Sequence, residues 1–144
     1  VSHHSSALTL WRQLDHPWGV PAALRELAES ALARGDLVAA RSQYRESLSR
    51  WRQLGERLHM SDCLRGLARV ALSSGDGEMA TLLLSAQARL DQAMGYVPAP
   101  DVLALLIADA KSTVDADRFN EIWNAGQSQS MDSVLDDVTR SLSS

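Results

Sequence analysis

The strongest constraint on this chain is that it repeats itself. Residues 8–40 and 48–80 align without a gap at an offset of 40, and 14 of the 33 aligned pairs are identical. Trp11-Arg12-Gln13-Leu14 matches Trp51-Arg52-Gln53-Leu54, Leu24-Arg25 matches Leu64-Arg65, and Leu27-Ala28 matches Leu67-Ala68. Ala31-Leu32, Gly35-Asp36 and Ala40 recur as Ala71-Leu72, Gly75-Asp76 and Ala80. No low-complexity tract inflates the match. A fixed period of this size on helical patterning implies an all-α α-solenoid of antiparallel helical hairpins, here with about seven or eight helices.

The repeat makes the opening of the sequence informative. Residues 7–14 correspond to 47–54, the end of the second helix of a pair, so residues 7–20 are expected to be the tail of a preceding repeat and a connector. That segment carries Leu8, Leu10, Trp11 and Leu14 where a terminal repeat is normally polar. The expectation is a piece excised from a longer solenoid, with an apolar N-terminal face that offers a homodimer contact. Pro17 and Gly19 break the connector over 15–20.

The first full repeat spans 21–54. Pro21 suits a first helical turn, and Leu24, Leu27, Ala28, Ala31 and Leu32 follow at the spacing of one helix face. Gly35 is placed to end that helix in a left-handed conformation, and Asp36 to cap the next. Leu37, Ala40, Tyr44, Leu48, Trp51 and Leu54 form the stripe of the partner helix, over about 37–54. Only two residues separate the pair, so the helices are antiparallel neighbours.

The second repeat, 61–94, follows the same logic. Ser61 or Asp62 reads as the cap of a helix to about 74, Gly75-Asp76 as the turn, and Gly95 as the stop of a second helix. Met79, Leu82, Leu83, Leu84, Ala86, Ala88 and Leu90 give that second helix a face wide enough for neighbours on two sides. Residues 101–144 read as capping helices. Leu103, Leu106, Ile107 and Ala110 line the first, with Phe119, Ile122 and Trp123 on a second that begins at Asp115 or Asp117 and closes at Gly126. Residues 127–130 read as loop. Ser130 or Asp132 then caps the last, which turns Val134, Leu135, Val138 and Leu142 inward.

Bulk chemistry narrows the function by exclusion. The net charge is −4 and the pI about 5.5, so no basic field invites nucleic acid or an anionic membrane. The longest apolar run, Val102 to Ala108, is far too short to cross a bilayer, and no signal peptide opens the sequence. Cys63 is the sole cysteine, which suits a reducing, cytoplasmic setting, and its apolar neighbours read as a buried thiol. No phosphate-binding glycine loop, zinc-protease helix or nucleophile elbow is present, so neither catalytic residues nor a cofactor are expected. His3, His4 and His16 in loop-like sequence and an isolated His59 predict no metal site. Asp132, Asp136 and Asp137 read as capping and solubility. Among the tryptophans, Trp11 and Trp51 read as packing, Trp123 as core of the cap, and Trp18 as the one most exposed.

The order Leu24, Leu27-Ala28, Ala31-Leu32, Gly35-Asp36, Ala40, Tyr44, repeated from Leu64 to Leu84, resembles the tetratricopeptide repeat. Leu24 and Leu64 stand at its early tryptophan position and Ala31 and Ala71 at its aromatic one. The period is 40 instead of about 34, and the usual proline is missing. These departures resemble a narrower group, the C-terminal helical repeats of large bacterial LuxR-type regulators built from a signalling ATPase, a repeat array and a DNA-binding helix-turn-helix. Ala33 to Asp36, Tyr44 to Leu48, Leu64 to Ala71 and the ending Phe119, Trp123, Gly126, Met131 carry that likeness over about residues 8–138. The resemblance implies a non-catalytic interaction or effector-sensing region, attached in the full-length protein to ATPase and DNA-binding domains.

The resemblance also implies that the first helix of each pair lines the ligand-bearing face. Opposite the Leu27/Ala28/Ala31 stripe, Arg25 and Glu29 sit one turn apart, as do Arg65 and Arg69. Arg25 and Arg65 are equivalent positions, so stacked hairpins would set them side by side as a short ladder. Guanidinium forks at that spacing suit a carboxylate or phosphate. The expected partner is a protein or peptide presenting an acidic segment or its C-terminal carboxylate. The alternative reading of the same residues is a solvated face with Glu29 paired to Arg25.

Overall fold

Left-handed glycines recur every twenty residues, at Gly35, Gly55, Gly75 and Gly95, with φ of 79°, 72°, 78° and 68°. A side chain at such a φ meets its own backbone, so glycine is the residue that ends a helix this way at least cost. The computed structural model describes residues 17–95 and 100–143. Among these residues there are seven helices and no strand. They are α1 (Gly19–Ala33), α2 (Leu37–Leu54), α3 (Arg57–Ser73), α4 (Gly77–Met94), α5 (Pro100–Thr113), α6 (Ala116–Ser128) and α7 (Met131–Leu142).

The first three turns share one hydrogen-bond scheme. Gly35 N–H donates to Leu32 O and Asp36 N–H to Ala31 O, the Schellman pattern that satisfies two otherwise orphaned carbonyls. Gly55 with Glu56, and Gly75 with Asp76, repeat it on Arg52 and Trp51 and on Leu72 and Ala71. Asp36 and Asp76 then accept from Ala39 N–H and Met79 N–H at 3.2 and 3.0 Å and so start the next helix.

The expectation that Ser61 or Asp62 caps a helix is corrected. The α3 helix begins four residues earlier, at Arg57, because the Gly55-Glu56 turn is as short as its neighbours. Ser61 and Asp62 lie inside α3, Ser61 buried and Asp62 half-buried.

The protein divides into two units within α3, one up to Gly66 and one from Leu67 onward. In the first unit α1 packs along α2, burying Leu24, Leu27, Ala28 and Ala31 with Ala40, Tyr44, Leu48 and Trp51. A buried polar relay joins its three helices: Cys63 Sγ lies 3.5 Å from Ser47 Oγ, whose hydroxyl donates to Pro21 O at 2.7 Å.

In the second unit α4 is the hub, and α5, α6 and α7 each pack on it. That shared role accounts for the breadth of its buried face, which includes Ala80, Leu83, Leu84, Ala86 and Leu90. Asp115 accepts from Arg118 N–H to start α6, and Ser130 from Ser133 N–H to start α7. Phe119, Val134, Leu135, Val138 and Leu142 are buried, as expected of a cap.

Gly126 is a second correction. It does not close α6, which runs on to Ser128, so the loop expected over 127–130 shrinks to Gln129 and Ser130. Its role is close approach: a Cβ there would sit 2.3 Å from Ser85 Oγ. The absence of that atom lets Ser85 donate to the Trp123 carbonyl at 2.8 Å, while Gln127 Nε2 donates back to Ser85 O at 2.9 Å. Gly126→Ala should therefore cost about 1–3 kcal/mol through overpacking, despite alanine's better helix propensity. Urea unfolding checks this, and a variant as stable as the parent would contradict the packing assignment.

Candidate functional site

The hairpin geometry presents Arg25 and Glu29 on α1, and Asp62 and Arg65 on the early part of α3. All four are partly exposed and lie off the buried leucine and alanine stripes. Arg25 Nη2 stands 3.1 Å from Glu29 Oε1 and 3.7 Å from Asp62 Oδ2. Arg65 Nη2 donates to Asp62 Oδ1 at 2.8 Å. The two oxygens of one carboxylate thus face two arginines that hold equivalent places in the repeat.

Three of the four residues expected from sequence come together here, and Asp62 joins them. The i,i+4 pair between Arg25 and Glu29 is present, so part of the arginine charge is met within α1. Arg69 lies one turn farther along α3, exposed, with no ion pair among the described residues. Sequence reasoning missed Asp62 because it read the residue as a cap. The available signal was its i,i+3 spacing to Arg65, which is a standard helical ion pair. With two arginines and two carboxylates the group is formally neutral, and each member is about a third exposed or more apart from Asp62 and Arg65, at 29% and 28%. Such pairs contribute little stability, about 0–1 kcal/mol each.

The remaining sequence candidates resolve as follows. Trp51 is buried, and His59 stacks on it with ring centroids 4.1 Å apart, so His59 is not isolated. Trp18 meets both rings edge-on at 5.3 and 5.5 Å and keeps 42% of its surface exposed. Trp123 stacks on Phe119 at 5.8 Å and is half-buried. Asp137 pairs with Arg140, and no group of three or more metal-ligating side chains forms among the described residues. His3, His4, His16, Trp11 and the apolar N-terminal face read as a dimer contact lie outside the described residues. No helix among the described residues is long and apolar enough to cross a membrane.

The second unit holds a cleft of about 300 Å³ between α6 and α7, floored by Leu82, Ile122 and Ala125. Its charges are matched along the walls. Arg118 bonds Glu78 and Glu121 at 2.8 and 2.9 Å, and the Glu78 hydrogen bond raises its pKa further. Arg140 is held by Asp137 on α7.

No family model, curated protein or solved structure matches this sequence.

Burial raises the Cys63 thiol from an ordinary 9.0 to about 11, and the hydrogen bond with Ser47 and the charge of Arg25 only partly offset it. The neutral thiol is the form the fold holds, so its contribution to stability is intact below pH 9 and fades as pH rises toward 11. At pH 8 a thiol reagent should leave Cys63 unmodified in the folded protein and label it fully in urea. Stoichiometric labelling of the folded protein at that pH would contradict the assignment.

Proposed function

We propose that this protein is a non-catalytic protein–protein interaction module. Its residue-level likeness to tetratricopeptide-type repeats of bacterial LuxR-type regulators supports a place in such a regulator, in the cytoplasm, beside ATPase and DNA-binding domains. The module's role there is to display a helical surface and pass partner occupancy to the attached domains. Its own acidic balance argues against direct nucleic-acid contact.

One observation carries the choice of partner. Arg25 and Arg65, forty residues apart in sequence, converge on a single carboxylate. An arrangement that holds the Asp62 carboxylate supports recognition of a carboxylate from outside, on an acidic segment or at the C-terminus of a polypeptide. A small-molecule effector is the alternative, and the α6–α7 cleft favours it by its apolar floor. The arginine site is the stronger reading because it sets two repeat-equivalent guanidinium groups on one carboxylate, whereas Arg118 and Arg140 of the cleft each face acids of their own.

The test is fluorescence anisotropy with a labelled oligoglutamate peptide at low salt, comparing the parent with Arg25→Ala/Arg65→Ala. The double variant should bind at least about tenfold more weakly, equivalent to about 1.4 kcal/mol. Equal binding by parent and variant would remove the arginine site from the account.

A further inference from the structure

We infer that Asp62 is a built-in competitor for the arginine site. Its carboxylate holds, inside the fold, the place between Arg25 and Arg65 that a partner's carboxylate would take. The inference rests on the reading that these two arginines receive a partner's carboxylate.

Four observations carry it. The Asp62 carboxylate is divided between two arginines, Oδ1 toward Arg65 at 2.8 Å and Oδ2 toward Arg25 at 3.7 Å. The longer contact, across helices, is the one an incoming group displaces most easily. The repeat does not need an acid here for packing, because the equivalent residue of the first copy is Ala22, which is exposed. Aspartate is also a weaker helix former than alanine, so local propensity does not explain its presence inside α3. Finally, the Asp62 side chain is 29% exposed, which leaves it room to turn into solvent without unpacking a buried neighbour.

The consequence is selectivity. An intramolecular carboxylate acts at a high effective concentration, so a lone carboxylate from solution competes poorly. A partner must offer several acidic groups, or a bidentate C-terminal carboxylate, to displace Asp62 from both arginines. When it does, Glu29 keeps its contact with Arg25 at 3.1 Å and Asp62 turns outward, so the exchange leaves no charge buried. Exposed ion pairs are weak, which bounds the effect to a modest factor and makes the competitor displaceable instead of blocking.

The experiment measures binding of labelled oligoglutamate, with a free and with an amidated C-terminus, to the parent protein and to Asp62→Ala. Asp62→Asn serves as the isosteric variant. Asp117→Ala, an exposed acid of the second unit, controls for the change in net charge. Circular dichroism confirms that each variant remains helical. Asp62→Ala and Asp62→Asn should both tighten binding, by about fivefold, while Asp117→Ala should not. The gain should vanish when Arg25→Ala and Arg65→Ala are added. A larger gain for the free than for the amidated peptide assigns the site to a C-terminal carboxylate, and equal gains assign it to side-chain acids. Binding by the parent that depends on Arg25 and Arg65 but is unchanged in both Asp62 variants would overturn the competitor and leave the arginine site standing. A gain shared by Asp117→Ala, or one that survives loss of both arginines, would overturn it as a bulk-charge effect. No binding by either the parent or the Asp62 variants would overturn both readings.

Discussion

The left-handed glycine turn is the constraint on which the rest of this structure depends. Each of the first three turns uses a glycine to reverse the backbone within two or three residues and satisfies the last helical carbonyls by the same paired hydrogen bonds. A turn that short leaves a helix no choice but to run back along its predecessor. Two such turns restore the original direction after forty residues. Positions forty apart, such as Arg25 and Arg65, then lie on helices pointing the same way. The longer repeat seen in the sequence is thus two twenty-residue helix-and-turn steps, and the arginine pairing follows from it.

The polar chemistry of the first unit gathers where its helices share an ion pair. The buried stripes are mostly leucine and alanine, with Tyr44 and Trp51 in the first unit, and two buried serines are tied to backbone carbonyls, Ser47 to Pro21 and Ser85 to Trp123. The ion pairs of the second unit run mainly within a helix or to a single neighbour. The pairing at Asp62 sets arginines of two helices on one carboxylate, whereas in the second unit Arg118 is the shared group, between Glu78 and Glu121. Sharing of this kind adds little to stability and brings two guanidinium groups from different helices to one carboxylate.

Much of this was legible in the sequence because it is written in local chemistry. Gly35, Gly75 and Gly95 mark helix ends, Asp36 caps, and the stripes from Leu24 to Ala31 and from Ala40 to Trp51 are buried as their spacing requires. The parts that were not legible depend on tertiary contact. Serine and aspartate favour helix caps in isolation, so Ser61 and Asp62 pointed to a helix start; the short Gly55-Glu56 turn overrides that preference. Gly126 looked like a helix stop because nothing in its own neighbourhood shows that Ser85 lies across from it. His59 looked isolated because its ring partners, Trp18 and Trp51, are eight or more residues away. The wide face of α4 was visible, but its role as the common support of α5, α6 and α7 was not, since periodicity reports a buried face without naming its neighbours.

The most direct test is side-chain NMR of the arginines. The contact between Asp62 and Arg65 is local to one helix, whereas that between Asp62 and Arg25 exists only if the hairpin turns bring α1 beside α3. On Asp62→Asn, the Nε–Hε resonances of Arg25 and Arg65 should both move, while that of Arg118 in the second unit stays in place. Movement of Arg65 alone, with Arg25 unchanged, would contradict the convergence of the two repeat positions on one carboxylate.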